Sequence, residues 1–132
     1  MNVLFICAHN RFRSKVAEAF LASYKIKGVR VKSAGVRLDF MKPFVASSAY
    51  KAMKRRGVGF VNDQSQEVTD EMIDWADKII IVANNVNPKI FPKKKVVVWP
   101  IEDTAEEDKN GTDKRIGEIE KKVKDFAKTL NV

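Results

Sequence analysis

An α/β fold is predicted for residues 1–132: one domain built on a four-stranded parallel sheet, with helices on both faces and the functional loop between the first strand and the first helix. Three observations carry that expectation. Short apolar runs recur at 3–6, 79–83 and 96–99, with a fourth, alternating run at 29–33. Stretches with helical spacing of apolar residues lie between them. The run Ile79-Ile80-Ile81-Val82-Ala83 shows no alternation, as a central strand covered on both faces requires.

The first strand, Val3-Leu4-Phe5-Ile6, ends at Cys7. From Ser14 onward, Val16, Phe20, Leu21 and Tyr24 recur at helical spacing, which predicts an amphipathic helix to about residue 26, ended by Gly28. Val29-Arg30-Val31-Lys32-Ser33 alternates apolar and charged residues and fits an edge strand; strand, helix and strand then make a parallel unit. Residues 36–42 are irregular. Pro43 suits a first helical turn, and Val45, Ala46, Ala49, Ala52 and Met53 keep one face apolar until Gly57. Residues 60–68 read as loop. Thr69 is an N-cap type, with Asp70 and Glu71 in the first turn of a short helix reaching about Ala76. Beyond the central strand, residues 84–88 are turn material, Ile90-Phe91 marks a brief helical turn, and residues 95–99 form the last strand. An acidic loop follows. Ile116, Ile119, Val123, Phe126 and Leu130 then predict a long amphipathic helix from about 113 to 130.

At 132 residues, with 45% hydrophobic and 32% charged residues, the chain has globular composition and length for a sizeable core. No apolar stretch approaches the roughly 18 residues that span a bilayer, and no secretory leader is visible, so no membrane association is expected. A lone cysteine excludes an internal disulfide framework, and a reactive thiol needs reducing surroundings; a cytoplasmic location fits both. One histidine and one cysteine exclude a zinc cluster, and no metal or cofactor is expected. The net charge of +8 attracts anions in general. Lys93-Lys94-Lys95 and Lys54-Arg55-Arg56 read as solvated turns or helix ends, and no aromatic interleaving points to nucleic acid. The oligomeric state is not readable from the chain.

Chemistry concentrates at Cys7-Ala8-His9-Asn10-Arg11-Phe12-Arg13-Ser14. A loop this short between a strand and a helix curls so that successive backbone N–H groups point inward, and the helix N-terminus adds partial positive charge. Cys7 at the floor of such a cradle is favoured as a thiolate nucleophile. Arg13 offers a planar fork to two oxygens of a phosphate, and the Ser14 hydroxyl is placed to donate to the sulfur. Ala8, His9, Asn10, Arg11, Phe12 and Arg13 are therefore read as a phosphate-binding loop. In such folds ligands bind beyond the carboxyl ends of the strands, where Cys7, Ser33, Ala83 and Trp99 fall, so the loops after them are expected to share one site.

These residues, followed by Ala17-Glu18, resemble the signature of the low-molecular-weight protein tyrosine phosphatases, whose relatives include thioredoxin-coupled arsenate reductases. The likeness continues through Ser33-Ala34-Gly35, the Val68-Thr69-Asp70-Glu71 helix start, the strand entry at 76–80, and Trp99-Pro100-Ile101-Glu102-Asp103. The resemblance implies that Cys7 is the nucleophile and that Arg13 binds the phosphoryl group. It implies that Asn10 holds a left-handed position and bonds to Ser33, that Ser14 bonds to the sulfur, and that Asp103 is the general acid. The chain departs from the pattern at Thr104, where the family has proline, and at Phe12, where eukaryotic members have a second cysteine. A histidine that supports the loop in some members has no counterpart, Asp63 being the nearest position. Glu102, Glu106, Glu107 and Asp108 crowd the acid loop.

The implied function is a cysteine-dependent phosphatase that hydrolyses phosphotyrosine or similar aryl phosphates through a phosphocysteine, acting on a phosphorylated protein or a small aryl phosphate. Phe40 or Trp99 is the expected aromatic wall for the substrate ring. The alternatives are an arsenate reductase using an external thiol, since a disulfide relay needs further cysteines, and a non-catalytic anion or phosphoprotein-binding module.

Overall fold

The computed structural model describes residues 1–130, so the domain expected over 1–132 runs two residues past the described ones. The elements are β1 (Asn2–Cys7), α1 (Arg13–Ser23), β2 (Arg30–Gly35), α2 (Ser47–Arg55), α3 (Asp70–Trp75), β3 (Lys78–Val82), a 3-10 turn (Pro88–Ile90), β4 (Val96–Trp99) and α4 (Lys109–Leu130). All four strands are parallel, in the order β2-β1-β3-β4. The alternating strand β2 is at an edge, and the unbroken run of β3 is central. β1 pairs with β2 on one side and β3 on the other, so the order of strands reverses at β1 and Cys7 stands at that switch point.

Alternate side chains of β1 and β3 enter two cores. Val3, Phe5, Ile80 and Val82 pack with residues of α1, α2 and α4 on one face. Leu4, Ile6, Ile79 and Ile81 pack with Phe91 and the α3 side chains on the other. Each of the three isoleucines of β3 is essentially fully buried, a gain of about 1.5–3 kcal/mol apiece. Thr69 caps α3, its hydroxyl accepting from the Met72 N–H at 3.2 Å. Among the described residues, no helix is long and apolar enough to cross a membrane.

Three expectations are corrected. α1 buries the expected stripe of Val16, Phe20 and Leu21 but is not amphipathic: every residue from Arg13 to Leu21 is buried, because its polar side faces Asn10, β2 and residues near 62 instead of solvent. It ends at Ser23, with Lys25 at φ 50°. α2 begins at Ser47 and not at Pro43, because residues 44–46 are tied to other segments: Phe44 bridges Gln64, the Val45 N–H donates to Asp63 O, and the Ala46 N–H donates to Arg11 O. α4 begins four residues before the expected 113, because the Asp108 carboxylate accepts from the Gly111 N–H at 2.9 Å and caps a first turn that carries no apolar stripe.

Candidate active site

Cys7 ends β1, 2% exposed, and residues 8–12 carry the chain from it to Arg13 at the start of α1. The turn depends on Asn10, whose φ of 55° lies in the left-handed region that asparagine tolerates better than most residues. Its side chain is fully buried and uses both ends. Oδ1 accepts from the Gln66 N–H at 2.9 Å, while Nδ2 donates to Ser14 Oγ at 2.7 Å and to Ser33 Oγ at 3.1 Å. The loop lies directly on β2: a β-carbon at Gly35 would come within 2.8 Å of Ala8 O and 2.9 Å of Asn10 N, so only glycine fits there.

Ser14 Oγ lies 2.9 Å from Cys7 Sγ. Ser33 donates to Glu18 Oε1 at 2.7 Å, which extends the buried chain to a carboxylate. Burial raises the Glu18 carboxyl above its ordinary range, against the Ser33 hydrogen bond and the Lys15 charge, which lower it. Burial likewise lowers Lys15 from its ordinary value, opposed by Glu18, Asp63 and Cys7.

Arg13, 2% exposed, donates to Ile101 O at 2.9 Å and to Asn85 Oδ1 at 3.1 Å, and Asp103 Oδ2 faces it at 3.8 Å. Two of its five donors are engaged by these neutral acceptors, so the fork is aimed while donors remain for an anion. Loops after all four strands thus meet here: residues 8–12 after β1, the Val36 and Arg37 N–H groups bonded to Cys7 O and Ala8 O after β2, Asn85 after β3, and residues 101–103 after β4.

Cys7 and Arg13 line one pocket with Asp103, and Phe12, Ala46 and Thr104 line it as well. His9, Arg11 and Glu106 also reach it. The Asp103 carboxyl is half exposed, and its Oδ1 accepts from the Thr104 N–H at 2.9 Å. Three of its acidic neighbours are otherwise engaged. Glu102 pairs with Arg115 at 2.9 Å, Asp108 caps α4, and Glu106 pairs with Arg11, whose Nε donates to Phe44 O.

The structure brings together Cys7, Asn10, Arg13, Ser14, Ser33 and Asp103. It does not place the expected aromatic wall. Trp99 is core, its ring 5.9 Å from Phe5 and 6.1 Å from Phe126, because the strand end turns it towards α4. Phe40 stands 84% exposed on the loop after β2 and is not among the pocket's lining residues. Sequence reasoning missed the groups that anchor Arg13 (Asn85 and the Ile101 carbonyl), the roles of Glu18 and Gln66, and the Arg11–Glu106 tie. Only Asn85 carried a signal, as a polar turn at the end of a strand.

The family model described as low molecular weight phosphotyrosine protein phosphatase matches residues 2–132. The chain belongs to that family. An arsenate reductase of Bacillus cereus is 30% identical over 131 residues, covering 96% of this chain and 94% of its own. The YwlE arginine phosphatase from Geobacillus stearothermophilus superposes with a TM-score of 0.87 at 26% identity, over 98% of this chain and 92% of that one. A low molecular weight phosphotyrosine phosphatase from Vibrio cholerae shares the fold with a TM-score of 0.89 at 20% identity, over 99% and 97% of the two chains. Relatives of this family member therefore carry the names of phosphatases and of arsenate reductases.

Proposed function

We propose that this family member is a cysteine-dependent phosphatase that hydrolyses phosphotyrosine or similar aryl phosphates through a phosphocysteine. The observation that carries the reading is the meeting of Cys7, the buried Arg13 and the Asp103 carboxyl in one pocket, with Ser14 Oγ 2.9 Å from the sulfur. The thiolate attacks phosphorus in line, an S–P bond forms, and the bond from phosphorus to the aryl oxygen breaks. Asp103 gives its proton to the departing phenolate. Asp103 then takes a proton from water as the water oxygen attacks phosphorus, the S–P bond breaks, and phosphate leaves with Cys7 again a thiolate. Arg13 and the N–H groups of residues 8–12 stabilise the phosphoryl oxygens as charge redistributes, while Ser14 donates to the sulfur in both steps. No redox partner enters this cycle. Phe12 and Ala46 offer the apolar lining against which a substrate ring packs. The substrate is a phosphorylated protein or a small aryl phosphate, and a reacting thiol fits a reducing, cytoplasm-like environment.

Hydrolysis of p-nitrophenyl phosphate in the presence of a chelator, by the wild type beside Cys7→Ser, tests the reading. Turnover by the wild type and its loss in the variant, by roughly 10⁴-fold or more, is the expected result. Near-normal turnover in Cys7→Ser overturns the assignment of the nucleophile, and phosphate binding without turnover by the wild type marks a binding module.

The arsenate reductase relative at 30% identity favours one second reading, arsenate reduction in the same cradle. With Cys7 the sole cysteine, an external thiol must supply the electrons that a disulfide relay would otherwise provide. Arsenate-dependent oxidation of added glutathione or thioredoxin distinguishes it.

A further inference from the structure

Lys15 follows Ser14 in the first turn of α1, and none of it reaches solvent. Its ammonium donates to Asn62 O at 2.9 Å and, among the described residues, pairs directly with no carboxylate. Burying a charge for one carbonyl contact costs more than that contact returns, and an uncharged methionine would fill similar space. The charge therefore needs another use.

The hydrogen bonds around it supply one. With Oδ1 of Asn10 taken by the Gln66 N–H, its amide nitrogen donates to both serines. Each serine oxygen accepts there; Ser33 donates on to Glu18 Oε1, while between Ser14 Oγ and Cys7 Sγ either atom can be the donor, and a thiolate at Cys7 leaves Ser14 as the donor. Asn10 thus donates outward along a buried chain that ends at a carboxyl group and a sulfur, both acceptors when Cys7 is the thiolate of the proposed reaction. An ionised Glu18 and a Cys7 thiolate would place two negative charges inside one protein core, and Lys15 is a buried cation on which the charges of both act.

We infer that Lys15 is a positioning residue whose buried charge holds both ends of the Glu18–Ser33–Asn10–Ser14–Cys7 chain as acceptors, so that Ser14 presents its hydrogen to the sulfur. The inference rests on Cys7 as the reacting thiol. The charges that act on Lys15 are those of Glu18 on α1, three residues along the same helix, Asp63 in the loop before α3, and Cys7 at the end of β1. Around the sulfur, Arg13 on α1, His9 and Arg11 on the phosphate loop, and Asp103 and Glu106 on the acidic loop line the same pocket. The substitutions below leave all of these except Lys15 and Glu18 in place.

The rate of Cys7 alkylation by iodoacetamide is measured against pH for the wild type, Lys15→Met, Glu18→Gln and the double variant, with circular dichroism reporting folding. In Lys15→Met the half-maximal rate moves up by about one pH unit; in Glu18→Gln it moves down, and in the double variant it returns towards the wild type. A folded Lys15→Met whose profile stays in place overturns the inference and leaves Lys15 as a tether for Asn62. Should Lys15→Met not fold, Glu18→Gln decides alone: a downward shift supports the inference, and an unmoved or upward profile overturns it. Alkylation needs no turnover, so shifted profiles in a protein inactive on p-nitrophenyl phosphate would reject only the hydrolytic reading.

Discussion

The loop of residues 8–12 lies inside the molecule, and its key polar side chain, Asn10, is bonded at both ends to partners on α1, β2 and the segment before α3. The loop of residues 101–108 lies over the same pocket but near the surface. Its side chains hold it by ion pairs and a helix cap: Glu102 to Arg115, Glu106 to Arg11, and Asp108 to the start of α4. The inner loop is held by hydrogen bonds away from water, where each broken bond leaves an unsatisfied group; the outer one is held by partly exposed ion pairs near the surface, worth about 0–1 kcal/mol each. The difference matches the two tasks proposed for these loops. A phosphoryl cradle must be in place before the ligand arrives, whereas a proton donor must admit a substrate and then approach its leaving oxygen.

The comparison breaks most readily at Gly35. Gly35→Ala pushes a methyl against the backbone of residues 8–10, so the inner loop must move; aryl phosphatase activity is expected to fall by about 10²-fold or more, with a stability loss of about 1–3 kcal/mol in urea titrations. An unchanged rate would mean that the cradle tolerates displacement. Asp103→Asn sharpens the other side. It should slow esters of basic phenols by roughly 10²–10⁴-fold and spare those whose phenolate departs unaided, steepening the dependence on leaving-group basicity. The same series with Glu102→Gln and Asp108→Asn should keep the wild-type slope, since those carboxylates are held by Arg115 and the α4 N-terminus.

Smaller effects are expected from Arg11→Ala, which cuts the tie between the two loops. Loss of a partly exposed ion pair should lower kcat/KM by at most about fivefold, because the hydrogen bonds of Asn10 do not pass through Arg11. The smallest is a slope. Burial raises the Glu18 carboxyl, so the folded chain keeps a proton that the unfolded chain releases above about pH 4.5. The Glu18 contribution to stability is therefore largest below that pH and declines as pH rises towards the folded value. Denaturation midpoints of Glu18→Gln relative to wild type across pH 4–8 should show that slope removed.

How much of this was legible in the chain follows sequence distance. Cys7, Asn10, Arg13 and Ser14 fall within eight positions, and a strand followed directly by a helix confines so short a segment to one tight turn. Local patterning also placed the strands, because alternation at 29–33 and its lack at 79–83 report how many faces each strand buries. The start of α2 was misread because Pro43 permits a helix locally, while bonds from residues 44–46 to Gln64, Asp63 and Arg11 draw those residues into an extended path.

By itself, then, the sequence determined the order of elements, the parallel sheet and the place of the Cys7–Ser14 segment between β1 and α1, since each depends on residue spacing within about one element's length. The tertiary structure alone decided what aims Arg13, which carboxylates of the acidic loop are tied up by other groups, and that Lys15 is fully buried. Arg13 and Asn85 are 72 positions apart, Arg11 and Glu106 are 95, and Asn10 and Gln66 are 56. No local preference encodes such pairs. They exist because the strand order reverses at β1, which gathers the loops from the carboxyl ends of all four strands around one sulfur.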